Sequence, residues 1–198
     1  MMNFEEISAE KSRLRSDLRR RRRELPQELR LLAAEKVAER VISLEQYRKS
    51  RCILAYMAAK GELDVSAIVE NAQADGKKVA FPLCVENRGL KLLVPHSPDS
   101  FIIGAYGIME PDEQDSDEIT VDELDFIIVP GVGFDAKCGR LGQGGGYYDC
   151  LLECSSAFTC GVGYDFQLCG SLPLEPHDKS IDCVAFPCGV FFRAKEDR

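Results

Sequence analysis

The chain has 198 residues, of which 45% are hydrophobic and 29% charged, a composition that excludes disordered, collagen-like and coiled-coil proteins. Its 25 basic and 33 acidic residues leave a formal net charge of −8, which argues against general nucleic-acid binding because long-range attraction to phosphate needs net positive charge. A chain of this length is expected to form a single domain, residues 1–198, that folds without disulfides or a structural metal.

Charge is distributed unevenly along the chain. Eight of the first 23 residues are basic, including an arginine run at 19–23, whereas residues 110–125 hold nine acidic residues and no basic one. We interpret the acidic stretch as a solvated loop. The sequence contains neither an apolar signal segment at its start nor 18 consecutive apolar residues, so export and membrane insertion are not predicted and a cytoplasmic location is expected.

The nine cysteines form no Cys-x-x-Cys pair, so neither a zinc site nor a disulfide framework is predicted. Several lie inside the apolar runs 51–57, 78–84 and 181–186, where a free thiol behaves as a small hydrophobic side chain. We therefore expect reduced thiols that are mostly structural.

Three helices are predicted in the first part of the chain. The first starts with Ser8 as its cap and ends before Pro26, because proline disfavours helical backbone in the residue that precedes it. The second covers 27–46, where apolar residues recur at helical spacing, and the third lies within 64–76.

Short apolar runs alternate with helical segments and predict strands at 51–57, 78–84, 89–95, 125–131, 158–164, 181–186 and 189–193. The nearly continuous apolar run at 51–57 is typical of a strand covered on both faces, which favours a parallel sheet. Pro82 has no N–H to donate, so it should lie at a sheet edge or a strand end. The pattern predicts an α/β domain with helices on both faces of a mostly parallel sheet.

The segment after the strand at 125–131 is the most unusual part of the sequence, with seven glycines between residues 131 and 146. In open α/β sheets, ligands bind beyond the carboxyl ends of the strands. Glycine-rich backbone allows consecutive N–H groups to converge on an anion, and a helix predicted to begin near Tyr147 would point its positive end to the same place. We therefore predict a phosphate site here, with a glycine-rich turn that binds nothing as the alternative.

Two common phosphate motifs do not fit this segment. A Walker A loop needs lysine after its last glycine, but Gly144 is followed by further glycines, and the dinucleotide pattern would need glycine at Tyr147. Positive charge for the phosphates is expected from Lys137 and Arg140 instead.

Acidic residues near the loop are candidate metal ligands. Asp149 follows Tyr147 in the first turn of the predicted helix, and Mg²⁺ commonly takes one or two carboxylates together with phosphate oxygens and water. A partner for the helix dipole is the other interpretation of Asp149. His177 and Asp178 precede a predicted strand, where a turn cap is the simplest interpretation.

The sequences RLGQGGGYYD at 140–149 and VPGVGFD at 129–135 resemble the signature of the 5-formyltetrahydrofolate cyclo-ligase family, whose members are also called 5,10-methenyltetrahydrofolate synthetases. The resemblance extends over nearly the whole chain, to KSRLR at 11–15, GELD at 61–64, YGIMEP at 106–111 and HDKSID at 177–182.

The resemblance implies a three-layer α/β/α domain related to the sugar-phosphate isomerase and CoA-transferase group. It implies an ATP site formed by Lys11, Ser12, Arg13, Leu14, Arg15, Arg140, Leu141, Gly142, Gln143, Gly144, Gly145, Gly146, Tyr147 and Tyr148. It implies a folate pocket formed by Arg15, Met57, Glu62, Gln143, Gly144, Gly145, Gly146 and Tyr147, with Mg²⁺ held near Asp149 and Asp178.

The implied reaction is the ATP-driven closure of 5-formyltetrahydrofolate to 5,10-methenyltetrahydrofolate, with release of ADP and phosphate. Transfer of the γ-phosphoryl group to the formyl oxygen would activate the formyl carbon for attack by N10. The implied catalytic residues are Lys11, Arg140 and Tyr147, of which the two cations would offset phosphate charge and the tyrosine would meet the pterin. Glu62 would accept hydrogen bonds from folate N–H groups.

The chain departs from the family pattern in its loop. Some members carry a lysine and a second basic residue where this chain has Gly145 and Gln143, so phosphate binding is expected to depend more on Lys11, Arg15 and Arg140. The apolar, cysteine-rich stretch at the C-terminus also departs from the pattern.

Two other functions stay open, an ATP-dependent ligase of the same fold acting on another small carboxylated metabolite and a non-catalytic folate- or nucleotide-binding regulator. The presence of Lys11, Arg140, Asp149 and Asp178 together argues against the regulator, which would not need metal ligands. The arginine run at 19–23 is interpreted as a solvated helix face, with a surface for a polyglutamylated folate tail as the alternative. A small-molecule substrate without nucleic-acid or membrane partners is predicted, in a monomer or weak dimer.

Overall fold

The structure is a computed structural model that describes residues 3–59, 61–85, 89–104, 107–175 and 178–194. Its helices are α1 (Phe4–Glu24), α2 (Gln27–Ser43), α3 (Glu45–Lys49), α4 (Ser66–Ala74) and α5 (Tyr147–Cys154). Its strands are β1 (Cys52–Leu54), β2 (Lys78–Cys84), β3 (Leu90–Pro95), β4 (Phe101–Ile103), β5 (Met109–Pro111), β6 (Ser116–Ile119), β7 (Phe126–Val129), β8 (Gly133–Asp135), β9 (Arg140–Leu141), β10 (Phe158–Val162), β11 (Leu168–Cys169), β12 (Cys183–Phe186) and β13 (Gly189–Phe192).

An eight-stranded sheet lies at the centre, in the order β13-β12-β10-β7-β1-β2-β3-β6. The strands from β12 to β2 run parallel, whereas β13 at one edge and β3 and β6 at the other are antiparallel to their neighbours. Two smaller sheets accompany it, β11-β8-β9 and the hairpin β4-β5. The predicted α/β fold with a mostly parallel sheet is confirmed.

The central strands are buried on both faces because successive side chains point to opposite sides of the sheet. Phe126 and Ile128 of β7 pack in a cluster with side chains of α2, α3 and α4. Ile127 and Val129 pack in a second cluster, on the face that carries Leu151 of α5. The resulting layers are helix, sheet and helix, and β7 is apolar at all four positions because its side chains enter both clusters.

Helix α1 begins earlier than predicted. Asn3 is its N-cap, with its side chain accepting from the Glu6 N–H at 2.9 Å while the Glu6 carboxylate accepts from the Asn3 N–H at 2.8 Å. This capping box satisfies two helix-terminal donors that a cap at Ser8 would have left open, so the predicted start was wrong. The predicted end was right, because Leu25 has extended backbone before Pro26.

Three further expectations are corrected by the structure. The helix expected over 27–46 is interrupted at Leu44, whose extended backbone separates α2 from α3. The acidic stretch expected to be a loop contains β6, and its charged side chains cover a sheet edge, where charge prevents pairing with other chains. Cys84, expected among the structural thiols, is exposed.

Pro82 lies where β2 extends beyond its pairing with β1, at a local edge of the parallel part of the sheet, as expected. Among the described residues, no helix combines the length and the apolar character needed to cross a membrane.

Candidate functional site

A cavity of about 390 Å³ lies at the carboxyl ends of β1, β2 and β7, where ligands bind in open α/β sheets. Its walls include Tyr56 and Met57 after β1, Cys84 at the end of β2, and Pro130 and Gly131 after β7. The wall also includes Glu62, Arg140, Asp149, the β5 residues Met109 and Glu110, and the segment 142–148. We call this space the central cavity.

The antiparallel pair β8–β9 leads into the glycine loop, which we define as residues 142–146. Asp135 holds the turn between these strands, its Oδ1 accepting from the Gly139 N–H at 2.9 Å. Gly144 and Gly146 have φ angles of 104° and 78°, a left-handed region that glycine enters without strain. Gly146 is also the N-cap of α5, so the positive end of that helix faces the loop. The loop therefore has the backbone expected of an anion site.

Helix α1 contacts the glycine loop through two guanidinium groups. Arg15 Nε donates to the Gly142 carbonyl at 2.9 Å, while Arg19 Nη2 donates to the Gln143 carbonyl at 3.0 Å and to its Oε1 at 2.6 Å. Burial and the neighbouring Arg19 lower the pKa of Arg15. Since residues 141–154 contain no lysine or arginine, α1 supplies cations at the side of the loop.

Lys11 lies one turn before Arg15 on α1 and is buried. Its Nζ is 2.6 Å from Asp178 Oδ2 and also pairs with Glu175, which ties the first helix to the last part of the chain. This ion pair places Asp178 at Lys11, whereas Asp149 lines the central cavity.

The other residues of the segment 11–15 point elsewhere. Ser12 and Arg13 are exposed, Leu14 is half-buried, and Arg13 pairs with Glu10 at the surface. A helix turns by about 100° per residue, so five consecutive residues cannot share one face. Of the polar side chains in this segment, Lys11 and Arg15 are the ones that the structure turns toward the interior.

Arg140 is buried at the cavity wall, and its Nη2 donates to Asp149 Oδ1 at 2.8 Å. Its guanidinium lies 5.8 Å from the centre of the Tyr148 ring. Within the described part of the chain, Arg140 Nε and the Tyr148 hydroxyl are buried without a hydrogen-bond partner. Burial also raises the pKa of Tyr148, which keeps the phenol protonated. Because buried polar groups are normally paired, these two donors mark a position for acceptors on a ligand.

Glu62 lies on the cavity wall beside the glycine loop. Its Oε1 accepts from Gln143 Nε2 at 3.1 Å, and its Oε2 accepts from the Ala59 N–H at 3.0 Å. Arg22 Nη2 lies 3.7 Å from Glu62 Oε1. The Gln143 amide therefore joins the Arg19 guanidinium to the Glu62 carboxylate, so that the loop, α1 and this carboxylate form one polar network.

The fit of a magnesium ion depends on Asp149. No group of three or more His, Cys, Asp or Glu side chains is arranged for a metal ion among the described residues. A magnesium ion that draws its other ligands from phosphate and water fits a single carboxylate, and the Asp149 side chain is 29% exposed on the cavity wall. Asp178 is engaged differently, with Oδ2 accepting from Lys11 and from the Glu175 N–H at 2.7 Å.

The interpretation of the arginine run at 19–23 as a solvated helix face is wrong for Arg22, which is buried, and sequence reasoning gave neither Arg19 nor Glu175 a role at the site. The spacing of Lys11, Arg15, Arg19 and Arg22, at three or four residues, was a signal for one basic helix face. Glu175 carried no such signal. Tyr106 and His177, which belong to two of the family-like motifs, lie outside the described residues.

Comparison with known proteins adds an independent finding. The model of the 5-formyltetrahydrofolate cyclo-ligase family matches residues 7–187. The chain is 33% identical to the 5-formyltetrahydrofolate cyclo-ligase of Saccharomyces cerevisiae over 187 residues, covering 80% of this chain and 86% of the yeast protein. It is 31% identical to the Escherichia coli K12 enzyme of that name over 179 residues, covering 88% and 98% of the two chains. The NMR structure of Aquifex aeolicus 5,10-methenyltetrahydrofolate synthetase superimposes with a TM-score of 0.81 at 36% identity, covering 92% of each chain.

Proposed function

The chain belongs to the 5-formyltetrahydrofolate cyclo-ligase family, and on that premise we propose that it converts 5-formyltetrahydrofolate to 5,10-methenyltetrahydrofolate at the central cavity, with ATP as co-substrate. The observation that carries the proposal is the contact between Gln143 Nε2 and Glu62 Oε1 at 3.1 Å. This contact places the glycine loop, which has the backbone of an anion site, in the same cavity as a carboxylate that accepts hydrogen bonds. A reaction between a phosphate donor and a pterin requires both.

The chemistry has two parts. The N5-formyl group is a poor electrophile, and its oxygen is a poor leaving group. In the first part, the formyl oxygen attacks the γ-phosphorus of ATP, forming a P–O bond as the bond to ADP breaks. N10 then attacks the formyl carbon and loses its proton, and the C–O bond breaks, so that the formyl oxygen leaves in the phosphate. Since phosphoryl transfer needs little covalent help, the protein contributes positioning and charge.

The cations of the site have separate tasks in this proposal. Lys11 and Arg15 bring positive charge from α1 toward the triphosphate, and the amides of the glycine loop bind phosphate oxygens. Arg140 lies at the cavity wall, where its unpartnered Nε offsets charge that develops on the transferred group. Asp149 would hold a magnesium ion, which would supply neutralisation of phosphate charge.

The folate side of the site is formed by different groups. Glu62 accepts hydrogen bonds from N–H groups of the pterin, and Met57 and Tyr147 supply apolar surface to the ring. Tyr148 keeps its proton and donates to an oxygen of the bound ligands. Gln143 contacts both sides of the site and keeps the two substrates adjacent.

The direct test supplies the reduced, folded protein with magnesium, ATP and 5-formyltetrahydrofolate and records the strong near-ultraviolet absorbance of the methenyl product. We expect product formation with ATP and none when a non-hydrolysable ATP analogue replaces it. Folded protein that binds both ligands without forming product would support the non-catalytic regulator. Folded protein that forms no product and binds no folate would support a ligase acting on another metabolite.

A further inference from the structure

Arg22 is a buried cation that the proposed reaction does not use. It lies on α1 with its side chain 5% exposed, and its Nη1 reaches the Gly131 carbonyl after β7 at 3.5 Å. Its nearest carboxylate is that of Glu62, at 3.7 Å from Nη2. Arg22 therefore touches both the strand end and the carboxylate that line the central cavity.

The backbone brings Arg22 and Glu62 together as well. Gly61, which precedes Glu62, has a φ of 81°, and a Cβ at this position would lie 3.4 Å from the Arg22 carbonyl oxygen. That carbonyl also accepts from Arg30 Nη2 at 2.8 Å. The turn at 61–62 is thus packed directly on α1 at Arg22.

The hydrogen bonds of Arg22 are incomplete. Its Nε is buried without a partner among the described residues, and its contacts to Gly131 and Glu62 are long for a guanidinium. Desolvation of such a group is costly, and an apolar side chain of similar length would serve packing at least as well. Fold stability alone therefore does not account for an arginine at this position.

The positive charge of Arg22 accounts for an arginine at this position better than packing does. The titratable groups around the Glu62 carboxylate are Arg22 of α1 and the phenols of Tyr56, Tyr148 and Tyr164. Burial raises the pKa of all three phenols, so they are neutral near pH 7. The other groups on the carboxylate, the Ala59 N–H and the Gln143 amide, are neutral donors. Among the described residues, Arg22 is the cation within 4 Å of Glu62.

We propose that Arg22 is a positioning residue, whose buried guanidinium orients the Glu62 carboxylate toward the pterin and so determines affinity for the folate substrate rather than for ATP. This inference rests on the proposed function, in which Glu62 receives the pterin. It assigns to α1 a second task, separate from the contacts that Arg15 and Arg19 make with the glycine loop.

The test compares Arg22→Met, which keeps an unbranched stem without charge, with Arg22→Lys, which restores the charge. In R22M the Glu62 carboxylate loses the cation that orients it, so we expect the folate KM to rise about ten-fold, with kcat and the ATP KM within about two-fold of wild type. R22K, which restores the positive charge, should bring the folate KM most of the way back to its wild-type value. Arg20→Met is the matched control, because Arg20 lies on the same helix and pairs with Asp17 and Glu24 at the surface.

Two measurements separate positioning from a general effect on folding. In the Glu62→Gln background, where the carboxylate is absent, R22M should leave both the urea midpoint and the folate KM nearly unchanged. If R22M does not fold, Arg22→Gln replaces it and is interpreted in the same way. A folded variant without the charge that keeps the wild-type folate KM would overturn the inference.

Ligand binding can also be measured without turnover, by isothermal titration of 5-formyltetrahydrofolate and of ATP into wild type and R22M. Weaker binding of the folate alone by R22M supports the role of Arg22 even if no methenyl product forms, in which case only the proposed function fails. Equal folate binding by the two proteins, in an active enzyme, overturns the role of Arg22 and leaves the proposed function intact.

Discussion

Lys11 Nζ lies 2.6 Å from Asp178 Oδ2, although 167 positions separate the two residues in the chain. The same ammonium group contacts Glu175, so one buried cation holds two carboxylates of the C-terminal segment against the first helix. This ion pair joins the two ends of the family-like region. The position of a cation in the proposed ATP site therefore depends on a segment that is distant in the chain.

Lys11→Met should impair both stability and activity. The variant removes the buried ammonium group that contacts both Glu175 and Asp178, which should lower the free energy of unfolding by about 3 kcal/mol. We expect kcat/KM for ATP to fall about 100-fold, because the proposed function places this cation near the triphosphate. The double variant with Asp178→Asn should recover part of the stability, measured by urea denaturation, but none of the activity. Recovery of ATP turnover in that double variant would contradict a direct role for Lys11 at the triphosphate.

Asp149→Asn should lower the rate without unfolding the chain. The amide oxygen can still accept from Arg140, so the unfolding free energy should change by less than about 1 kcal/mol, whereas the rate should fall about 100-fold and half-maximal activity should need more magnesium. Magnesium titrations of the steady-state rate provide the measurement. Glu153→Gln is the control, because Glu153 lies on the same helix and pairs with Lys179 at the surface. An Asp149→Asn enzyme with the wild-type magnesium response would exclude Asp149 as the metal ligand.

Gly146→Ala and Gly76→Ala form a matched pair. Both glycines have φ in the left-handed region, 78° and 72°, so alanine should cost each variant about 1 kcal/mol of stability. Only Gly146 adjoins the central cavity, where a shift of the glycine loop and the α5 terminus should lower kcat/KM about ten-fold. Thermal denaturation and the absorbance assay test the two statements. Equal activity losses in both variants would show that the loop geometry has no special role.

The Cys84 thiol should report on occupancy of the central cavity. Burial and the nearby Glu110 raise the pKa of Cys84, so the thiol is protonated at neutral pH and alkylation by iodoacetamide should be slow, then accelerate as the pH rises toward that raised value. Bound 5-formyltetrahydrofolate should protect it. The pKa of Cys188 is raised too, but Cys188 does not line the cavity and should stay unprotected. Peptide mass spectrometry measures both rates, and equal labelling of Cys84 with and without ligand would place the folate elsewhere.

Periodic patterns accounted for most of the large elements. The strand predicted at 125–131 contains β7, whose apolar side chains enter both clusters of the core, and the helical spacing after Gln27 became α2. Finer features depended on individual contacts. The cap at Asn3 was legible in its spacing to Glu6, whereas β6 was obscured because acidic residues have low strand propensity and its pairing partner is distant in the chain.

The glycine loop, its helix at Tyr147 and the α/β class could be identified from the amino-acid sequence, since backbone freedom and side-chain periodicity are properties of neighbouring residues. The tertiary structure alone showed that Arg19 reaches Gln143, that Arg22 faces Glu62 and that Lys11 meets Asp178. Each of these pairs joins residues far apart in the chain, and neither burial nor an ion-pair distance is encoded in local spacing. The contacts between charged groups are determined only by the folded core, which brings the helix, the loop and the strand ends to one place.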